Sequence, residues 1–160
     1  MAHMSKLILV FTCILLSSCC QHKMTLKESD RTEIEQIINE KFSELTNAAE
    51  AADVEKIFSI ILENNDGALI RDGELLVTRQ EALEAYKNGF QRVQGIKYEI
   101  RQKHVHVISP EVALLVSEGT SIATLNDGRT FNTPMAQTIV FVLKDGDWKV
   151  LHIHSSVPRK

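Results

Sequence analysis

His152 and His154 stand two apart in the closing stretch "DGDWKVLHIHSSVPRK", followed by Ser155 and Ser156. Three kinds of chemistry fit those residue types. Two imidazoles on one strand face could bind a metal, although a catalytic zinc wants a third protein ligand, which Glu118 could supply. His154 with Glu118 could form a general acid/base pair whose ionisation burial would bring toward neutrality. The bland reading is a satisfied hydrogen-bond row lining one face of a sheet. Serine hydrolysis is a weaker reading than acid/base chemistry, since neither Ser155 nor Ser156 lies in a nucleophile-elbow motif.

Which reading holds depends on the elements that carry these side chains. Ile34, Ile37, Ile38, Phe42 and Leu45 form one apolar stripe and predict a long helix from Asp30, capped by Ser29, Asp30 or Thr32. Asp53 predicts the N-cap of a second helix carrying Val54, Ile57, Phe58 and Ile61. Two short extended pieces follow around 68–70 and 74–77. Thr78 to Glu81 is a capping box opening a third helix with Leu83, Tyr86 and Phe90 on one side. From Gly95 onward the pattern is strand-like, over 96–108, 111–125, 130–143 and 147–156. Turns are expected at Ser109-Pro110, Asp127-Gly128 and Asp145-Gly146. Helices first and a meander after them predict an α+β fold with the helices on one face of the sheet.

Two-residue turns set strand register. Around Asp145-Gly146 they place Leu143 opposite Trp148, Phe141 opposite Val150, Ile139 opposite His152 and Gln137 opposite His154. Around Asp127-Gly128 they place Glu118 opposite Gln137 and Val116 opposite Ile139. Glu118, Gln137 and His154 then form one row, with Ser156 facing Met135. Either Arg101 or Lys103 stands beside Glu118, while His104 and His106 point to the other face. Trp148, Val150, Ile139, Phe141 and Leu143 share the face of the histidines, and so much apolar surface belongs against the helices. The expected pocket therefore contains His154, His152, Gln137, Glu118, Trp148, Ile139, Phe141 and Met135, with His154 and Glu118 as the catalytic candidates.

The composition is that of a single globular domain. Of 160 residues, 44% are hydrophobic and 24% charged, which argues against disorder. A net charge of −3 without a basic run excludes a nucleic-acid role on composition.

The first residues carry an address. "MAHM" reads as a cloning remnant ahead of a start at Met4; Lys6, an apolar run from Leu7 to Leu16 and then "LSSCC" describe an export signal. The run is shorter than the roughly 20 apolar residues a membrane span needs. The division expected is 1–19 remnant plus signal, 20–29 polar tether, and 30–158 folded domain. Cys13 leaves with the signal, and Cys19 and Cys20 both precede the domain, so the folded domain has no disulfide and no thiol nucleophile.

Leu16-Ser17-Ser18-Cys19 resembles a bacterial lipobox. That resemblance implies cleavage before Cys19, lipidation there, and a periplasm-facing outer-membrane or cell-surface location. The domain itself resembles the nuclear transport factor 2-like superfamily, in its SnoaL-like, ketosteroid-isomerase-like group. "AADVEKIFSII", "DGELLVTRQEALEAYKNGF" and the terminal "GDWKVLHIHSS" carry the likeness, which spans about 30–158. It implies a cone in which a curved sheet wraps the first helix around a pocket, dimers through the outer sheet face, and no metal or cofactor. Chemistry does not follow from the fold. Ketosteroid isomerases use an Asp base with an oxyanion hole of a Tyr and a protonated Asp, whereas here only Tyr86 and Tyr98 are tyrosines and no Asp falls in the proposed pocket strands. The expected function is non-catalytic binding of a small, partly apolar molecule by a homodimer. A proton-transfer enzyme using His154 and Glu118, and an assembly module without ligand, are the alternatives.

Overall fold

The computed structural model describes residues 26–63, 69–71 and 73–157. The export signal, Cys19 and most of the tether lie outside the described residues. Helix α1 runs Glu28–Glu50, α2 Val54–Ile60 and α3 Arg79–Phe90, with short strands β1 (Leu69–Arg71) and β2 (Glu74–Leu76) between the last two. Strands β3 (Val93–Ser109), β4 (Val112–Leu125), β5 (Thr130–Lys144) and β6 (Asp147–Ser156) complete the chain. One mixed sheet results, ordered β2-β1-β6-β5-β4-β3, antiparallel throughout except for the parallel β1–β6 pair. Among the described residues no helix is long and apolar enough to cross a membrane.

Local chemistry explains most boundaries. Asp53 caps α2 by accepting from the Lys56 amide at 2.9 Å, and Thr78 with Glu81 forms a reciprocal capping box on α3. The start of α1 differs from expectation. It begins at Glu28, within the expected tether, and no side chain caps it; the Thr32 hydroxyl instead donates back to the Glu28 carbonyl. Asp145 and Gly146 both take positive φ, 52° and 83°, the mirror-image turn that suits a two-residue hairpin.

α1 lays Ile38, Phe42, Leu45 and Ala48 against the concave side of the sheet. There they meet Ala113, Leu115, Ile139, Phe141, Trp148, Val150 and Ile153, all buried. Burying each large side chain contributes roughly 1.5–3 kcal/mol, which offsets the entropy of ordering the chain. Trp148, Ile139 and Phe141 fill this solid core.

The register departs from the expected one at two places. The β4–β5 connection is a three-residue loop, Asn126-Asp127-Gly128, closed by the Leu125 amide on the Arg129 carbonyl at 2.8 Å, with Gly128 at φ 86°. Every β4–β5 pair is therefore offset by one from a two-residue turn: Glu118 lies opposite Ala136, and Gln137 opposite Ser117. In β6, Leu143 faces Trp148 and Phe141 faces Val150 as expected, but Leu151 is then squeezed out as a β-bulge. Beyond it Val140 faces His152, Ile139 faces Ile153, Thr138 faces His154 and Gln137 faces Ser155.

Bulges also bend β3, at Arg101 and Ile108. Opposite the first lies Gly119, where a Cβ would stand 2.3 Å from the Glu99 carbonyl oxygen, so only glycine admits this approach of the two backbones.

A charge chain ties α1 to the β5–β6 hairpin. Asp147 accepts from Lys41 at 2.8 Å and Lys149 at 2.9 Å, while Glu44 pairs with Lys41 and Lys56. Hydrogen bonding from Lys41, then from Lys149, holds the Asp147 carboxyl down at about 2. Its folded-state value lies below the unfolded one near 3.9, so its stabilisation is complete above about pH 4 and fades as pH falls through about 2. Asp147 is 46% exposed, so solvent screening limits the contribution to no more than about 1 kcal/mol. Asp147→Asn is expected to lower stability by that amount at neutral pH, with the gap closing on acidification; urea melts at several pH values check it.

Candidate ligand pocket

The wide end of the fold encloses a cavity of about 330 Å³ between helices and sheet. Its size lies at the low end for small-molecule sites. Phe42, Leu45, Thr46 and Ala49 of α1 form the roof, with Tyr86 and Phe90 of α3 at one side. The sheet contributes Ile96, Tyr98 and Ile100 from β3, Ser121 from β4, Thr133, Met135 and Gln137 from β5, and Ile153 and Ser155 from β6. Arg71 enters from β1.

Side-chain alternation on curved strands puts these residues inside. On β3, Ile96, Tyr98 and Ile100 face inward, and the Arg101 bulge shifts the phase so that Lys103 and Val105 face inward after it. On β6 the Leu151 bulge lets Ile153 and Ser155 follow Val150 to the inner side.

Three aromatics line up at the α3 wall. Phe58 and Tyr86 meet edge to face at 5.7 Å, as do Tyr86 and Phe90 at 5.8 Å. The Arg71 guanidinium lies 5.8 Å from the Tyr86 ring centroid, a cation–π distance. Burial pushes the Tyr86 phenol up, opposed by the charge of Arg71. Burial likewise drives Tyr98 up to about 12, with the Tyr86 and Glu50 oxygens adding to it and Arg71 opposing. Both phenols therefore stay protonated at neutral pH and can donate hydrogen bonds, but they do not serve as bases. Glu50 stands behind this wall, its Oε1 accepting the Tyr98 amide at 2.7 Å.

The expected site residues divide. Met135 and Gln137 line the cavity, and Trp148, Ile139 and Phe141 point inward into the solid core. His154, His152 and Glu118 do not face the cavity. The Leu151 bulge turns both histidines to the convex face, and the three-residue β4–β5 loop leaves Glu118 there as well. Glu118 is exposed and pairs with Arg101 at 3.5 Å, the neighbour expected from one of the two possible hairpins. The row Glu118–Gln137–His154 therefore does not exist: Gln137 faces inward and the other two outward.

The convex face has its own shallow groove of about 390 Å³, walled by strands of a single sheet surface. His154, Thr138, Val116 and His104 form one row across it, and His152, Val140, Leu114 and His106 the next. Among the described residues no cluster of three or more His, Cys, Asp or Glu could hold a metal. Among the cavity groups that the expected site omitted are Arg71, Tyr86, Tyr98 and Ser155. The alternation Ile96-Tyr98-Ile100 is the sequence signal that points to Tyr98.

A family model for the SnoaL-like domain matches residues 38–160. The chain belongs to that family, and its fold is the nuclear transport factor 2-like cone. Among solved structures, a nuclear transport factor 2-like protein from Salmonella enterica serovar Typhimurium is similar at TM-score 0.74 and 17% identity, over 81% of this chain and 94% of that one. A hexachlorocyclohexane dehydrochlorinase from Novosphingobium barchaimii is similar at TM-score 0.70 and 14% identity, over 83% and 92%. A ketosteroid isomerase-like protein from Erwinia carotovora is similar at 0.67 and 20%, over 80% and 98%. At these identities the likeness is one of fold, and the fold is shared by proteins of different activity. No match was found among curated proteins.

Proposed function

We propose that this SnoaL-like domain binds a small, partly apolar ligand in its cone cavity and does not transform it. One observation carries the reading. The cavity is apolar with several hydrogen-bond donors, yet among its described lining residues none is Asp, Glu, His or Lys. Proton-transfer chemistry wants a group that ionises near the working pH, and the phenols of Tyr86 and Tyr98 are shifted away from it. The dehydrochlorinase and isomerase-like relatives keep an enzymatic reading in view, but its candidates here, His154 and Glu118, lie on the convex face.

The rest of the reading concerns address and assembly. The lipobox-like Leu16–Cys19 anchors the domain to the cell envelope through lipid on Cys19, with acyl chains contributing about 0.8 kcal/mol per buried CH₂. A second copy covers Leu114, Val116 and Val140 on the convex face. Cys19→Ser is expected to move the protein from membrane to soluble fractions; unchanged fractionation removes the anchor.

Native mass spectrometry of protein from its own host tests ligand binding. The expected result is a small molecule that is released on denaturation, absent from the cavity-filling variant Met135→Trp, and retained by His154→Ala and Glu118→Gln. An empty wild-type protein, or loss of the molecule in the last two variants alone, contradicts the reading.

A further inference from the structure

Two phenols line the cone cavity from different elements, Tyr86 from α3 and Tyr98 from β3. Both are held in place. Phe58 and Phe90 clamp the Tyr86 ring edge to face at 5.7 and 5.8 Å. Glu50 accepts the backbone amide of Tyr98 at 2.7 Å, and strand alternation turns the Tyr98 side chain to the cavity with Ile96 and Ile100. The two residues are close enough for Tyr86 to bear on the ionisation of Tyr98. Yet neither phenol hydroxyl has a hydrogen-bond partner among the described residues. Thr46, also in the lining, shows the ordinary arrangement: its hydroxyl donates to the Phe42 carbonyl at 2.9 Å. Buried tyrosines usually find such a partner, so these two donors are left for whatever fills the cavity.

The surroundings select against charge of either sign. Burial keeps both phenols protonated, and the same desolvation penalises an anionic ligand oxygen placed beside them. Arg71 lies 5.8 Å from the Tyr86 ring centroid and is already engaged, so it does not call for an anion. A cation would find no carboxylate among the described lining residues. A plain hydrocarbon would strip water from two donors and return no acceptor, which costs affinity. A carbonyl oxygen brings two lone pairs and no proton, so it can accept from both phenols at once. The rest of such a molecule would lie against Phe42, Leu45, Phe90 and Ile153.

We infer that the ligand of the cone cavity is a neutral carbonyl compound with an apolar body, its oxygen accepting from the phenols of Tyr86 and Tyr98. This rests on the binding reading above and gives that site its ligand class.

Isothermal titration calorimetry at neutral pH tests it with 1-tetralone, the parent hydrocarbon tetralin and 1,2,3,4-tetrahydro-1-naphthoate, which share one two-ring body. Wild-type protein is expected to bind the ketone at least about tenfold more tightly than the carboxylate. Tyr86→Phe and Tyr98→Phe remove only an oxygen each. Each should weaken 1-tetralone about three- to tenfold and leave tetralin within about twofold. Infrared spectra should show the carbonyl stretch of bound 1-tetralone at lower wavenumber in wild-type protein, with the shift lost in the double variant. An undiminished affinity for 1-tetralone in both Phe variants, an equal loss for tetralin, or a carboxylate that binds as tightly as the ketone overturns the carbonyl class and leaves the binding reading standing. Absence of heat with all three probes overturns the binding reading, and the ligand class with it. If the Phe variants do not fold, the wild-type carbonyl band decides, and an unshifted band overturns the class.

Discussion

Phe141→Ala is expected to cost the domain about 3–5 kcal/mol. Phe141 is fully buried, opposite Ala113 on one side and Val150 on the other, at the centre of the narrow, solid end of the cone. Ala113 is already small, and Val150 is held by its own strand, so neither side chain can swing in to fill the space. The loss therefore includes both transfer of the ring and an open cavity. Urea denaturation should show the midpoint falling with the slope unchanged. Phe141 does not line the ligand cavity, so affinity measured where the variant is folded should stay within about twofold of wild type. A loss of stability under about 1 kcal/mol would mean that the narrow end is not packed as described.

Gly119→Ala carries the second large effect, about 1–3 kcal/mol. The methyl would meet the carbonyl oxygen of Glu99 at 2.3 Å and the Cα of Ile100 at 3.0 Å. These are backbone atoms of the paired strand, so no rotamer change relieves the clash. The strands must separate where the Arg101 bulge bends the sheet, next to Tyr98 and Ile100 of the cavity lining. Gly95→Ala is the control, because its added Cβ would touch nothing within 4 Å. Thermal melts of the pair should show a clear drop for Gly119→Ala and little change for Gly95→Ala; equal melting temperatures would contradict the close approach.

The fold was legible because its signals are local. Asp53, the Thr78–Glu81 box and Asp145-Gly146 mark ends and turns whatever the rest of the chain does, and the stripe of α1 needs only its own periodicity. The site was not legible, because side-chain direction along a strand accumulates every insertion before it. One additional loop residue, Asn126, and one bulged residue, Leu151, each shift the register by one, and one step exchanges the faces. Strand β5 shows its inner face in its own pattern, since Ile139 and Phe141 are both apolar and both buried. Strand β4 offers no such guide: Ala113 and Leu115 are buried inside while Val112, Leu114 and Val116 line the outside, so Glu118 could be assigned to either face. On β6 a trace of the bulge is present in Val150, Leu151 and Ile153, whose apolar spacing breaks strict alternation. If Val150 and Ile153 are both to face the core, one residue between them must step out, and the histidines go with the outer phase. Arg71 could not be found this way, because its place depends on a parallel pairing with a strand more than eighty residues later.

The two histidines and Glu118 thus end on a surface that faces away from the cavity, and the chemistry that their spacing suggested has no enclosed site to act in. The interior instead presents two neutral phenols, an amide, hydroxyls and a guanidinium.

Mapping of methyl chemical shifts by nuclear magnetic resonance during a 1-tetralone titration tests the location of binding most directly. The cone cavity predicts movement of the methyl groups of Ile96, Ile100, Met135 and Ile153, with those of Val116 and Ala136 and the imidazole of His154 unmoved. Movement confined to Val116, Ala136 and His154 would place binding on the convex face and contradict the account.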